Sequence, residues 1–343
     1  MRVSPLIMGV TLLAFGLGAS ASAQSAAPSY KLVRTVPLGA PDRWDYVVFD
    51  GPGDRVYVAH GDRLSVVSAS SGKVLGAVQP VAGGTHGTAI SARTGQGFTD
   101  DGRAGVVVAF DLKTLKIRTT IPAADDADGV VADKASGRVF VVDSDPGKVS
   151  VIDPSTDKPL AAIDGGGKLE AAVADGQGRL YVNGEGAHDI VVIDTRAGKV
   201  LAHWPMPGCV SPHGIAVDAA GGRLFSSCAN SVMMVLNTST GAVVASVPIG
   251  RGSDSAAWDP VRRRAFSSNG IDGDISVIQQ VTPDTYQALG SVQTVRSART
   301  MAVDPASGRL FVAGGDLDPS SAPGVRPHLM PGTLRLMVLE PVN

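Results

Sequence analysis

The sequence predicts an all-β, seven-bladed propeller, and three observations carry that prediction. Short apolar runs divided by Gly, Asp, Ser and Pro fill the chain, with 42 glycines, 5% aromatics and no long segment of helical period. One pattern recurs as GDRVYVAH, GRVFVVDS, GRLYVNGE, GRLFSSCA, RRAFSSNG and GRLFVAGG, with arginines at Arg55, Arg138, Arg179, Arg223, Arg264 and Arg309. The arginines are spaced about 41 to 45 residues apart except for one double gap, which TGQGFTDD fills with Gln96 in the arginine's place. A period in the low forties with strand content is that of a propeller. Finally, each unit offers four strand candidates, A to D.

The elements follow in chain order. Residues 1–23 have a positive start at Arg2, an apolar run from Leu6 to Leu17 and a small-residue site at Ala21-Ser22-Ala23. That is the pattern of a secretory signal cleaved after Ala23, which leaves residues 24–343 as one domain in the periplasm or outside the cell. KLVRTVPLG, from Lys31, resembles the outer strands KVLGAV and AVVASVPIG. In the third unit GVVAD, RVFVV, KVSVID and KPLAAI are strands A to D, and polar turns such as PSTD close the C–D hairpins. The seventh unit has only TMAVD, RLFVAG and LRLMVLE. The Lys31 segment is therefore expected to complete it and close the ring, removing the open edges.

Net charge is −2 with no basic stripe, which excludes a nucleic-acid footprint. No run after the signal is long enough to cross a membrane as a helix, so a monomer without membrane insertion is expected. The repeating AVDPxxGRLFVA, VSVID and TGKVVATI type of unit resembles the YVTN-repeat propellers, the YncE-like exported proteins. That resemblance covers nearly the whole mature chain and implies the fold and the exported location. The asparagine that ends strand B in that family is clear only at Asn269.

Aligned on the last residue of strand A, the units place Asp45, His86, Asp128, Glu170, His213, Asp254 and Arg299 five residues earlier, and all seven are ionisable. Strand A lines the channel, so this set is expected to ring one mouth. The ends of strand B, from His60 to Gly314, return to the same face as a looser outer ring. The His-Gly pairs at His86 and His213 are two members of the inner set.

Two readings of the ring stand side by side. Polar residues at strand ends often cap turns or simply meet water. Alternatively, four carboxylates around one guanidinium must take up a cation, protons or water. In the second reading His86, His213 and Glu170 ligate a divalent ion, zinc or calcium, with Asp128 or Asp254 completing the set. Asp45, Trp44, Asp128, Asp254, Arg299 and His60 then contact a small ligand. Cys209 and Cys228 are expected to form a disulfide that pins the loop presenting His213. The Pro-rich insert 315–332 in unit seven is either a lid, bringing Arg326 and His328 toward Arg299, or a surface excursion.

The function expected is binding of a metal or small molecule, or of another envelope protein. The alternative is a metal-dependent, lactonase-like hydrolase or lyase with Glu170, Arg299 and Asp45 as catalytic groups.

Overall fold

The computed structural model describes Met1, residues 30–319 and residues 328–342. The expected signal segment and Arg326 lie outside the described residues. Seven four-stranded antiparallel sheets form the ring. The first strand, Tyr30–Pro37, pairs with the last, Arg335–Pro341, and completes blade 7 in the order the sequence predicts. Among the described residues the only helical element is a 3-10 turn at Gly102–Ala104, and no helix is long and apolar enough to cross a membrane.

The burial pattern explains the repeat. Strands B and C lie between neighbouring blades and are buried on both faces, so they read as unbroken apolar runs. The residue two places after the repeated arginine, or after Gln96 in blade 2, is aromatic in every blade: Tyr57, Phe98, Phe140, Tyr181, Phe225, Phe266 and Phe311 are all fully buried. Each such ring contributes roughly 1.5–3 kcal/mol of burial free energy. Some outer strands alternate, as in Lys199–Pro205, and each has a register shift against strand C, two in blade 6, which bends it around the blade.

In four blades the repeated arginine that opens strand B staples one blade to the next. Arg55 donates to Leu112 O, Arg138 to Thr195 O at 3.0 Å and Arg179 to Thr238 O at 2.6 Å. Arg223 reaches Pro283 O and Asp284 at 2.9 and 2.6 Å. In each case the acceptor lies in the C–D turn of the following blade. Gln96, which replaces the arginine in blade 2, makes the equivalent contact to Asp157 at 3.2 Å. Closure between blades 7 and 1 is built on an apolar cluster of Val36, Val47, Val58, Phe311 and Leu336, with Arg34 Nη1 donating to Ser70 O in the C–D turn of blade 1 at 3.0 Å.

Candidate functional site

The seven counted residues immediately precede or begin strand A and converge on one mouth. The residue after each is small, namely Gly87, Gly129, Ala171, Gly214, Ser255 or Thr300, except in blade 1. Crowding at the axis is the reason. A Cβ on Gly87 would lie 2.4 Å from Val130 N, and one on Gly214 would lie 2.4 Å from Ala256 N. The glycine of each His-Gly pair therefore lets the next blade's backbone approach. The exception, Tyr46, fills the axial space and donates from its hydroxyl to Glu170 Oε1 at 3.3 Å.

Three consecutive blades supply a compact cluster. One ligand atom each from Glu170, His213 and Asp254 lies within 4.8 Å of the others. His213 Nδ1 is 3.2 Å from Asp254 Oδ1 and 4.0 Å from Glu170 Oε1. Ser211 spends its single proton on Glu185 Oε1 at 2.9 Å, so its oxygen accepts from His213 Nε2 at 3.2 Å. A neutral His213 is then bare at Nδ1, where it faces two carboxylates. That contact requires either a proton or a metal ion between the groups. Asp254 holds the His213 imidazole above its ordinary range, against the opposing effect of burial.

Each cluster member has an outer partner: Tyr46 for Glu170, Ser211 for His213 and Arg299 for Asp254. Arg299 Nη1 donates to Asp254 Oδ2 at 2.7 Å. Its Nη2 donates to Trp44 O at 2.9 Å and to Asp45 Oδ2 at 3.4 Å. Its guanidinium lies 5.3 Å over the Trp44 ring. Outer partners of this kind orient metal ligands.

The other arc of the ring is organised differently. Asp100, in strand B of blade 2, is fully buried and accepts from His86 N, His86 Nδ1 and Gly87 N at 2.7 to 2.9 Å. Burial disfavours the His86 charge, but Asp100 and then Asp45 hold the imidazole up to about 9. Burial, then repulsion from Asp128 and Asp254, pushes Glu170 up to about 9. Burial pushes Asp45 up to about 6 against the pull of Arg299. Burial and Asp45 push Asp128 well above the usual carboxylate range. With both imidazoles charged, the five carboxylates outnumber the three cations by two. The metal-free mouth must hold protons to compensate, and a divalent cation would match the surplus.

Two cavities open on this mouth, with Trp44 lining both. One of about 360 Å³ is lined by Arg43, Asp45, His86, Arg299, His328 and Leu329. The other, of about 520 Å³, is lined by His213, Asp254, Ile271, Arg299 and Leu317. The ends of the blade 7 insert meet over them through a bridge between Leu317 and Leu329, and Asp318 N donates to His328 O at 2.8 Å.

No model of a known protein family matches the chain. Two proteins titled "Uncharacterized protein YncE", from Salmonella typhi and from Salmonella typhimurium strain LT2, are each 26% identical to it over 236 residues, 66% of this chain. The chain is a seven-bladed β-propeller that resembles YncE. The aligned part spans 62% of the length of these curated relatives. Solved structures at 13% identity share the fold. A chain of Kuenenia stuttgartiensis hydrazine synthase has a TM-score of 0.69, with 88% of this chain and 96% of that one covered. The RRP9 WD40 repeats have a TM-score of 0.76, with 92% and 99% covered.

Of the expected ligands the cluster holds Glu170, His213 and Asp254, the last being one of the two residues expected to complete the set; His86 and Asp128 are not in it. His86 belongs to blade 2, two blades from Glu170, and Asp128 in blade 3 neighbours Glu170 without placing a ligand atom in the cluster. His86 Nδ1 is also held by Asp100. His60 is not at the ligand surface: it is 1% exposed, with Ser65 Oγ at 2.8 Å on Nδ1 and Pro41 O at 2.7 Å on Nε2. It pins the entry segment of blade 1 instead. Cys209 and Cys228 are bonded, and their Cα atoms are 5.5 Å apart. The bridge anchors the loop that carries Ser211 and His213.

Sequence reading missed Asp100, Tyr46, Ser211 and Glu185. For the cluster a usable signal was present: Glu170, His213 and Asp254 are one repeat apart in three successive units.

Proposed function

We propose that this exported YncE-like propeller binds one divalent metal ion at the channel mouth through Glu170, His213 and Asp254, as a binding or accessory protein of the cell envelope. The contact that carries this reading is His213 Nδ1 facing Asp254 Oδ1 at 3.2 Å and Glu170 Oε1 at 4.0 Å, each carboxylate with an outer partner of its own. A mixed nitrogen and oxygen set suits zinc better than calcium, which prefers oxygen alone. The disulfide supports an oxidising compartment, and with it export.

The test is calorimetric titration of zinc and of calcium into chelator-treated protein. One zinc per chain is expected, with binding abolished in His213→Ala and Glu170→Gln and retained in His86→Ala. Absence of zinc binding, or equal loss in His86→Ala, overturns the reading. A second reading, lactonase-like hydrolysis, is favoured by one observation: three protein ligands leave a coordination position for water or substrate, beside a cavity. A panel of lactones and esters with and without chelator decides it. Zinc binding without turnover leaves the binding role.

A further inference from the structure

We infer that the 520 Å³ cavity beside the cluster takes an organic carboxylate with an apolar body, its head toward the metal and its tail on Trp44, Ile271 and Leu317. This deepens the metal reading and rests on it. The volume falls within the range of about 300–1,000 Å³ typical of small-molecule sites. Two of the three proposed ligands, His213 and Asp254, line the cavity wall, so an ion they hold is within reach of a bound molecule.

Facing them are the apolar Ile271 and Leu317 with the Trp44 ring, and Ile271 is 53% exposed at the rim. A single exposed isoleucine is ordinary; one that joins a leucine and an indole around a concave wall forms an apolar seat.

The sign of the head group follows from charge. Without metal the mouth has surplus carboxylate; a divalent ion cancels that surplus and presents a cation to the cavity. Arg296, which lies outside that balance, adds positive charge on the same wall. A carboxylate head is thus matched by the ion and Arg296, whereas an ammonium head would be repelled by both.

The experiment titrates zinc-loaded protein with octanoate and, separately, with octylammonium. Octanoate is expected to bind and octylammonium not to. Ile271→Asp and Leu317→Asp, both at partly or fully exposed positions, are expected to weaken octanoate at least roughly tenfold while zinc affinity stays unchanged. Chelation of the zinc is expected to weaken octanoate as strongly. If zinc binds but octanoate does not, or binds equally to both aspartate variants, the inference fails and the metal reading survives. If octylammonium binds better than octanoate, the charge assignment is overturned. If zinc itself does not bind, the metal reading fails and the inference fails with it.

Discussion

Strand A has ionisable residues at both ends, and the two ends use them in opposite ways. At the far end Asp50, Asp133, Asp175, Asp218, Asp259 and Asp304 close or immediately follow the strand. Each accepts from backbone amides of the turn that follows: Gly53 on Asp50, Ser136 on Asp133, Gln177 on Asp175, Gly221 on Asp218, Val261 on Asp259 and Ala306 on Asp304. Burial alone would raise Asp133, yet hydrogen bonds from hydroxyls and turn amides hold it below its ordinary range. At the near end the acids face one another, and Asp45, Asp128 and Glu170 are all displaced upward. The spacing is the same at the two ends. What differs is the neighbours: turn amides at the far end, other acids at the near end. An acid met by amide hydrogens is structural; acids met by other acids carry a repulsion that a proton or a cation relieves.

The largest expected effect tests the structural end. Asp259 is fully buried and accepts from Val261 N, Arg262 N and Arg262 Nη1 at 2.9 to 3.0 Å. Asp259→Ala strands these donors and should cost about 3 kcal/mol in urea denaturation, with zinc affinity unchanged. A loss of zinc binding in this variant would mean that the two ends are not independent.

Next in size is a test that separates burial from repulsion. Asp143 ends strand B of blade 3; it is fully buried and accepts from Ser150 Oγ at 2.7 Å. Burial pushes it up to about 6, above its unfolded value. The folded chain therefore binds the proton more tightly than the unfolded chain, so this group's contribution to stability falls as pH rises from about 4 to about 6. Asp143→Asn should remove a fall on the order of 2 kcal/mol, read as the difference between variant and parent in denaturation midpoints at pH 4.5 and pH 7. Parallel pH curves for the two proteins would refute the assignment.

Blade number, strand order, ring closure by Tyr30–Pro37 and the shared mouth were all legible in the sequence, because each follows from a repeat and from strand alternation. The disulfide was legible because Cys209 and Cys228 fall at two ends of one blade that point the same way. What counting residues could not supply is the direction of each side chain around the axis. Asp100 captures His86 from a neighbouring strand, and the carbonyls of Gly39 and Pro41 capture His60. Asp100 shares its strand B offset with Ser227, which meets Gly214 N in blade 5, but the acid does not recur there, and Gly39 and Pro41 precede the first strand A. Asp254 was counted into the ring correctly, but its place in the cluster depends on the order of blades around the circle: blades 4, 5 and 6 are contiguous, so their ring residues meet.

The smallest effect is the most discriminating, because its sign is opposite to that at the far end. Asp128 lies outside the cluster but inside its field, and in the metal-free protein it adds to the repulsion at the mouth. Asp128→Asn keeps the shape and removes the cost of either ionising or protonating this buried acid, so the metal-free variant should be more stable than the parent by about 1 kcal/mol at neutral pH. Zinc binding neutralises the surplus in the parent, so the advantage should vanish when both proteins are saturated with zinc. Zinc affinity itself should fall only severalfold, since the ligands are untouched and only a more distant charge is lost. Thermal unfolding of both proteins with and without zinc reads all of this at once. If Asp128→Asn destabilises the metal-free protein as Asp259→Ala does, then Asp128 is a turn-capping acid like those at the far end, and the mouth has no charge surplus for a cation to relieve.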